Sequence, residues 1–294
     1  MAIRVRRLVD TSFGEVLDSV DVRALDEDSW KAIEDAFHRS GVIVLKGQSL
    51  TVDEQIAFAG RFGDIEMQSG QTVRPGLEGK PLVLDISNVD TDGRHITDRH
   101  HPLTRYLAGN EGWHSDSSFK PVTAKASVLH CIEAPSRGGE TGYADARDGD
   151  DLLDESEWSE LAGLRVYHSL EYSQALARAT DDDVPEDPTD LAGAWHDLVR
   201  THPVTGRRSL FIGRHAALVA GRSVAASRAL LERLEQRVCR PPRVYYHAWT
   251  PGDVVVWDNR CMLHRATEWD LRERRVLRHV RVAGDPVAPD PTGR

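Results

Sequence analysis

The chain contains a series of short apolar runs rich in β-branched and aromatic residues, most of them bounded by Gly, Pro or Asp. They are ASVLHCIEA, LRVYHSL, SLFIG, RVYYHAW, DVVVWD and RRVLRHVRV. Runs of this length and composition are typical of the strands of a sandwich or barrel. No internal repeat of about 20 to 50 residues is evident, which disfavours solenoids and propellers. The pattern therefore predicts a β core made of two sheets.

Three segments instead show the apolar spacing of helices. The first lies in LDEDSWKAIEDAFHRSG, where Asp26 or Asp28 can cap the helix and Gly41 can end it. A strand-like run, VIVLKG, follows, and then a second helix in TVDEQIAFAGRFG with Thr51 or Asp53 as its cap. The third segment, SVAASRALLERLEQRVC, carries a single apolar stripe. We therefore expect a mainly β fold with flanking helices.

Composition limits the classes of partner and location. The chain has 294 residues, of which 40% are hydrophobic, and is long enough for one large domain or two small ones. Its net charge is −10, with Lys and Arg scattered among Asp and Glu, which argues against nucleic acid as a partner. No apolar run reaches the ~18 residues of a membrane span, no signal peptide is evident, and the three cysteines are widely spaced. We expect a cytoplasmic protein with no nucleic-acid or membrane partner.

Two stretches lack regular apolar periodicity. Residues 67–110 are rich in Gly, Asp, Thr, Asn and His around one short apolar run, PLVLDIS. Long irregular segments within a compact domain are more often functional loops than linkers, so we expect a lid over a binding site. The acidic stretch within residues 175–195 predicts a mobile surface loop.

The segment GNEGWHSDSSF places His114 and Asp116 two positions apart. In an extended chain, this spacing puts both side chains on one face, where one metal ion can reach both. A third ligand is needed, and His264 is the candidate, because it closely follows the apolar strand of GDVVVWDNRCMLHRATEWD. Two histidines and one carboxylate suit non-haem Fe(II), with three coordination positions left for other ligands. The alternative is that His114 and Asp116 form a purely structural hydrogen-bonding pair.

Two further residues accompany this pattern. Arg275 lies 11 residues after His264, at the head of a predicted strand, where its guanidinium could pair with a small carboxylate. Thr141, in the turn sequence SRGGETGY, offers a hydroxyl to the same carboxylate. A zinc hydrolase would also use histidines and a carboxylate but gives no role to this Arg and Thr. A hydrolytic triad would need a nucleophile elbow, and no G-x-S-x-G occurs.

The segments WHSDSSF, GGETGYAD, HPVTGRRSLFIGRHA, GDVVVWDNRCMLHRATEWD and RRVLRHVRVAGD together resemble the TauD/TfdA family of Fe(II)/2-oxoglutarate-dependent dioxygenases, above all those that act on aryloxyalkanoates. The resemblance extends over nearly the whole chain. It implies a double-stranded β-helix, the cupin-like jelly roll. It also implies that His114, Asp116 and His264 bind Fe(II), and that Thr141 and Arg275 bind the distal carboxylate of 2-oxoglutarate. O2 is the second cosubstrate.

The resemblance also identifies candidate substrate contacts. In this family a basic residue four positions after the cosubstrate arginine commonly holds an anionic group of the substrate, and here that residue is His279. Strand alternation would place His279 and Arg281 on the same face as Arg275. Asn110 resembles an asparagine that contacts substrate in taurine dioxygenase, and Asn88, at the end of the lid strand, could do likewise.

The family implies oxidation of a small organic carboxylate, coupled to decarboxylation of 2-oxoglutarate to succinate and CO2. Hydroxylation beside an ether oxygen or an amine would give a product that collapses, so C–O or C–N cleavage can follow. The alternatives are a sulfonate or alkyl-sulfate dioxygenase, a natural-product biosynthetic hydroxylase, and a metal-free binding or sensing protein on the same fold. The small anionic substrate is the expected partner, and the family likeness suggests a homo-oligomer.

Overall fold

A computed structural model covers residues 3–67, 82–178 and 184–285 of the chain. Its helices are α1 (Glu27–Ser40), α2 (Val52–Gly60), α3 (Pro102–Ala108), α4 (Glu155–Leu161), α5 (Leu170–Arg178) and α6 (Val224–Val238). Its strands are β1 (Arg4–Arg7), β2 (Glu15–Asp18), β3 (Val42–Leu45), β4 (Leu84–Ser87), β5 (Ala124–Glu133), β6 (Thr141–Asp145), β7 (Arg165–His168), β8 (Ala194–Asp197), β9 (Val199–Thr201), β10 (Arg208–Leu210), β11 (Ala216–Val219), β12 (Val244–His247), β13 (Val254–Asp258), β14 (Met262–Ala266) and β15 (Val276–Ala283). The protein is therefore mainly β with flanking helices, as the sequence predicts.

Two sheets position the candidate site. The larger has seven strands in the order β1-β2-β3-β13-β5-β15-β4, and the smaller has the order β12-β6-β14. Apart from the parallel β2–β3 pair, the neighbouring strands in both sheets are antiparallel. Two smaller sheets, β11-β7-β8 and β10-β9, complete the described β structure.

Strand β13 shows why the apolar run DVVVWD is continuous. Val255 and Trp257 belong to the core between the two main sheets, together with Tyr143 of β6. Val254 and Val256 belong instead to the core on the other face of the large sheet, which α1 and α2 cover. A strand buried on both faces needs apolar residues at every position. A third core packs the outer face of the small sheet against α4 and α6.

The caps of the predicted helices are confirmed. Asp26 accepts a hydrogen bond from the Ser29 amide at the start of α1, and Gly41 ends the helix with a positive φ of 74°. Thr51 forms a capping box with Glu54 at the start of α2. Helix α6 buries the stripe that the sequence predicts. Helices α3, α4 and α5 were not predicted. The seven residues of α3 and of α4 carry too few apolar positions to show a period, and α5 begins at Leu170, the last residue of the strand-like run LRVYHSL.

Each of the two irregular stretches is described in part. Residues 68–81 of the expected lid and residues 179–183 of the expected mobile loop lie outside the described residues. The rest of the lid segment contains β4, which pairs with β15 at the edge of the large sheet, and helix α3. The rest of the loop segment contains the end of α5 and a 3-10 turn at Pro188–Asp190. Within the covered ranges, none of the helices has the length and apolarity to cross a bilayer.

Candidate active site

The two candidate histidines are held opposite one another by the backbone. The amide of His114 donates to the carbonyl of His264 at 2.9 Å, and the amide of His264 donates to the carbonyl of His114 at 2.8 Å. His264 lies on β14, and this isolated bridge attaches the His114 segment to that strand. The ring centroids are 4.1 Å apart. Residues 150 positions apart in sequence thus present their imidazoles side by side.

Asp116 is held by a separate hydrogen-bond network. Its carboxylate oxygen Oδ2 accepts from the hydroxyl of Ser127 at 2.7 Å, and its backbone amide donates to Asn259 Oδ1 at 3.0 Å. Asn259 Nδ2 in turn donates to the Ser127 hydroxyl at 2.8 Å. Immediately after Asp116 the chain turns sharply, with Ser117 at φ 53° and its hydroxyl bonded to Glu66. These contacts fix the carboxylate without using both of its oxygens.

One donor atom each from His114, Asp116 and His264 lies within 4.8 Å of the other two, and all three residues are buried. His114 Nδ1 donates to the Gly112 carbonyl at 2.8 Å, which leaves the lone pair of Nε2 available. Burial, together with the neighbouring imidazole, lowers the pKa of His114 to about 3, and burial lowers the pKa of His264 to about 4. Both imidazoles are therefore neutral at pH 7, as metal ligation requires.

The carboxylate is ionised for a different reason. Burial alone would raise the pKa of Asp116, but the neighbouring His264, His279 and Arg281 outweigh burial and lower it well below its usual range. His264 Nε2 and His279 Nε2 lie 3.7 and 3.6 Å from Asp116 Oδ2, and a guanidinium nitrogen of Arg281 lies 3.9 Å from Oδ1. The site therefore offers two neutral nitrogen donors and one anionic oxygen donor, a set suited to a divalent cation such as Fe(II).

A cavity of about 810 Å³ opens beside these donors, and its wall also includes Thr141 and Arg275. Arg275 is only 1% exposed, and its Nη1 has no hydrogen-bond partner in the parts of the chain that the structure covers. Burial lowers the pKa of this guanidinium to about 10, so it stays charged at pH 7. A buried, charged and incompletely bonded guanidinium is a site for a carboxylate.

The turn before β6 positions this guanidinium beside Thr141. The Nε of Arg275 donates to the Gly139 carbonyl at 2.9 Å. A Cβ added to Gly139 would lie 3.0 Å from the Arg275 side chain, and Gly139 has a φ of 69°, so this turn requires glycine for both reasons. Thr141 follows two residues later, and its hydroxyl accepts from Trp249 Nε1 at 3.0 Å. Thr141 also lines the cavity, where its hydroxyl can donate to a second oxygen.

Asn88 has a different position from the one that the sequence predicts. It is fully buried and is not among the cavity-lining residues. Its amide nitrogen lies within hydrogen-bond distance of the Leu271 and Glu273 carbonyls and His95 Nε2, and its Oδ1 accepts from the Arg275 amide at 2.9 Å. This environment does not support the predicted substrate contact, which stays a prediction. Asn88 instead holds the backbone of Arg275, because a buried amide is stable only when its polar atoms are bonded.

The other predicted substrate residues, Asn110, His279 and Arg281, line the cavity. His279 stacks on Trp257 with ring centroids 5.5 Å apart, and Arg281 lies 3.6 Å from Glu66. The alternation expected along β15 therefore places both His279 and Arg281 on the face that carries Arg275.

A second cluster of potential ligands lies outside the cavity. His38, His202 and Asp258 also bring donor atoms within 4.8 Å of one another. Here Asp258 already accepts two bonds from the guanidinium of Arg260, at 2.8 and 2.5 Å, and His202 Nε2 lies 2.9 Å away. Because the guanidinium neutralises this carboxylate, the cluster is explained as a buried ion-pair network.

Sequence reasoning missed the residues that orient Asp116. Ser127 and Asn259 lie 132 positions apart, and neither belongs to a short local motif. The available signal was a polar residue, Ser127, inside the apolar run ASVLHCIEA, and in the structure Ser127 lies on β5 opposite Trp257 of β13. A polar residue at a buried position of a central strand requires a partner, and here the partner is the candidate ligand.

Comparisons with known proteins identify the family of the chain. The taurine catabolism dioxygenase TauD, TfdA family profile matches residues 4–282. The (S)-phenoxypropionate/alpha-ketoglutarate-dioxygenase of Sphingobium herbicidovorans is 39% identical over 290 residues, which cover 95% of each chain. The alpha-ketoglutarate-dependent 2,4-dichlorophenoxyacetate dioxygenase of Cupriavidus pinatubonensis is 38% identical over 282 residues, covering 94% of this chain and 96% of that protein.

Among solved structures, AAD-2 in complex with Mn(II) and N-oxalylglycine is similar to this chain with a TM-score of 0.84 and 34% identity, covering 99% of this chain and 100% of AAD-2. Both the sequence likeness and the structural likeness therefore extend over nearly the full length of the chain. The chain belongs to the TauD/TfdA dioxygenase family.

Proposed function

We propose that this protein is an Fe(II)/2-oxoglutarate-dependent dioxygenase that oxidises a small organic carboxylate of the aryloxyalkanoate class. One observation carries the proposal: the two-histidine, one-carboxylate donor set and the buried guanidinium of Arg275 open on the same cavity. A metal site alone would fit many enzymes. The guanidinium adds a place for a carboxylate that is not itself a metal ligand.

The residues present fit Fe(II) and 2-oxoglutarate. His114, Asp116 and His264 would hold the metal, and three ligands leave coordination positions for the cosubstrate and O2. Thr141 and Arg275 would bind the distal carboxylate of 2-oxoglutarate. When bound, the metal and cosubstrate supply the oxidation of a C–H bond, coupled to conversion of 2-oxoglutarate to succinate and CO2.

The residues of this chain would bind the metal and the cosubstrate and orient them. Neutral imidazoles at His114 and His264 require no proton release before the metal binds. The Ser127 hydroxyl occupies one lone pair of Asp116 Oδ2 and fixes the plane of the carboxylate. Arg275, held by Asn88 and Gly139, determines the direction in which the cosubstrate enters. Buried aromatic groups such as Trp257 exclude water around the metal ligands.

The proposal extends to the fold, the cellular location and the oligomeric state of the protein. We infer that the two main sheets form a double-stranded β-helix of the cupin-like jelly-roll type and that residues 1–294 form one domain. Segment 67–110 supplies part of the cavity wall through β4 and α3, which supports its proposed role as a lid. The cytoplasmic location and a homo-oligomeric state stay predictions.

The substrate class rests on the relatives named above, which act on phenoxypropionate and dichlorophenoxyacetate. Asn110, His279 and Arg281 are the proposed substrate contacts from the sequence, and all three line the cavity. If the oxidised carbon bears the ether oxygen, the product collapses to a phenol and a carbonyl acid.

Anaerobic titration of the Fe(II)-loaded protein with 2-oxoglutarate tests the proposal. Chelation should produce a visible metal-to-ligand absorption band, and a phenoxyalkanoate should then shift it. With O2 admitted, succinate should form together with the phenol. Absence of the band in well-folded, Fe(II)-loaded protein would refute the proposal and favour a binding or sensing protein.

A further inference from the structure

Basic residues surround the cavity, but they differ in whether their charge is already balanced. The wall includes Arg99, Arg105, Lys120, Arg214, Arg265 and Arg281 in addition to Arg275. Arg99 and Arg105 are exposed to solvent, where an ion pair contributes little. The best candidate for a substrate carboxylate is a partly buried cation that has no acidic partner.

The cations nearest to the metal ligands do not meet this condition. Arg265, which follows His264, interacts electrostatically with the carboxyl groups of Glu111 and Glu235. Glu66 accepts from Lys120 at 2.8 Å and lies 3.6 Å from Arg281. Arg281 also lies 3.9 Å from the Asp116 carboxylate. An anion placed beside His279 would face the same carboxylate, because His279 Nε2 is 3.6 Å from Asp116 Oδ2. With Fe(II) bound, Asp116 would be engaged by the metal, so the acid that competes with a substrate carboxylate at this end is Glu66, which pairs with Lys120 and Arg281.

Arg214 differs from these cations. It is half-buried, and its one side-chain hydrogen bond in the described ranges is a 3.5 Å contact to the Ser173 carbonyl, at the limit for such a bond. No carboxylate of the covered segments lies within ion-pair distance, and burial alone lowers the pKa of its guanidinium. This charge is therefore desolvated without compensation.

Arg214 lies against the segment that leads to the metal ligand His114. Its amide donates to the Trp113 carbonyl at 2.7 Å. A Cβ added to Gly112 would lie 3.1 Å from the Arg214 Cδ, and one added to Gly109 would lie 3.3 Å from its Nη1. The two glycines of GNEG thus leave room for this side chain against the segment that leads to His114.

Asn110 lies between these two glycines and lines the same cavity. In the parts of the chain that the structure covers, its side-chain amide has no hydrogen-bond partner. A guanidinium and an amide that are both available, on neighbouring segments of one wall, can share the two oxygens of a carboxylate. Apolar side chains of Phe119 and Leu170 line the same cavity and suit an aromatic ring.

We propose that Arg214 and Asn110 form the subsite that binds the substrate carboxylate, and that Arg214 determines the preference for anionic over neutral substrates. The inference rests on the proposed function and goes further, because it moves the anion site from the β15 residues His279 and Arg281 to the segment around residue 214. Asn110 donates the second hydrogen bond.

The test uses the full chain loaded with Fe(II) and 2-oxoglutarate without O2, and follows the shift of the visible band as ligand is added. The ligands are 2-phenoxypropionate and its uncharged primary amide. Arg214→Met retains much of the side-chain length without the charge, and Arg214→Lys keeps the charge. Arg228→Met, an exposed position on α6, controls for the change in net charge.

We expect Arg214→Met to weaken carboxylate binding roughly 10- to 100-fold, the usual effect of losing a charge-assisted hydrogen bond. Binding of the amide should change less than about threefold, and Arg214→Lys should recover part of the loss. Asn110→Ala should weaken carboxylate binding by a smaller factor. Arg228→Met should match wild type.

Unchanged carboxylate binding in Arg214→Met, or equal losses of affinity for the carboxylate and the amide, would overturn the inference. The proposed function would stand in either case, provided that the 2-oxoglutarate band is present. Absence of any shift when phenoxyalkanoates are added to the wild type would overturn the subsite in the same way. Absence of the 2-oxoglutarate band itself would instead refute the proposed function.

Discussion

Replacing Arg275 by Met should have opposite effects on stability and on cosubstrate binding. The guanidinium is 1% exposed, and burial lowers its pKa to about 10. The pKa of an ordinary guanidinium is 12.5, and the difference corresponds to about 3 kcal/mol. Burying the charged guanidinium without a ligand destabilises the folded protein by this amount. The substitution removes this cost together with the hydrogen bond from Nε to the Gly139 carbonyl, which contributes about 1 kcal/mol. It also removes a contact with Trp269 of about 0.5 kcal/mol or more.

The balance favours the variant by about 1 kcal/mol in the absence of ligand. With 2-oxoglutarate present the sign reverses, because a lost charge-assisted pair weakens carboxylate binding by about 2 to 3 kcal/mol, or roughly 30- to 150-fold. Since this carboxylate does not react, KM for 2-oxoglutarate should rise much more than kcat falls.

Urea unfolding of the metal-free protein measures the first effect, and anaerobic titration of the visible band measures the second. Arg274→Met is the matched control, because Arg274 is the preceding residue, is exposed and pairs with Glu133. The reasoning is refuted if Arg275→Met is destabilised by more than about 1 kcal/mol without ligand, or if its affinity for 2-oxoglutarate equals that of the control.

Three further predictions concern the metal ligands. Asp116→Ala should abolish succinate formation while near-ultraviolet circular dichroism shows a retained fold, and turnover in the folded variant would remove Asp116 from the ligand set. Ser127→Ala should lower Mn(II) affinity roughly 10- to 100-fold in an electron paramagnetic resonance titration, because the carboxylate loses its orienting bond; wild-type affinity would contradict this. His114 and His264 have pKa values of about 3 and 4, so below about pH 6.5 the unfolded chain takes up protons that the folded chain does not. The urea midpoint of the metal-free protein should therefore fall as the pH decreases from 6.5 towards 4, and a constant midpoint would refute the neutral state of these imidazoles.

The sequence identifies those functional residues that lie in short local patterns. His114 and Asp116 share a face because of their spacing, and the structure places both beside His264. Arg275 and Thr141 line the same cavity, and their binding of 2-oxoglutarate stays a prediction. Periodicity likewise predicted α1, α2 and α6, and short apolar runs predicted strands such as β5, β13 and β15.

Long-range partners are not visible in such patterns. Asn88 was predicted to face a substrate because it ends a strand, but in the structure its amide bonds the backbone around Arg275. Ser127 lies in a predicted strand and Arg214 in a segment that carries the family resemblance, but neither segment indicates what these side chains contact. Their roles depend on which strands pair and which loop lies against which, and these relations depend on tertiary packing.

The candidate site draws residues from both main sheets, which has a consequence for insertions and deletions. His264 lies opposite Tyr143 in the β14–β6 pair, whereas His279 lies opposite Leu129 in the β15–β5 pair. Side chains alternate along a strand, so a slip of one residue in β14 would turn His264 to the other face of its sheet. Chain-length changes in β14 or β15 should therefore abolish metal or cosubstrate binding, whereas the exposed turn at Gly221, far along the chain from these strands, should tolerate them. Within the family, length variation is expected to accumulate in the loops between strands.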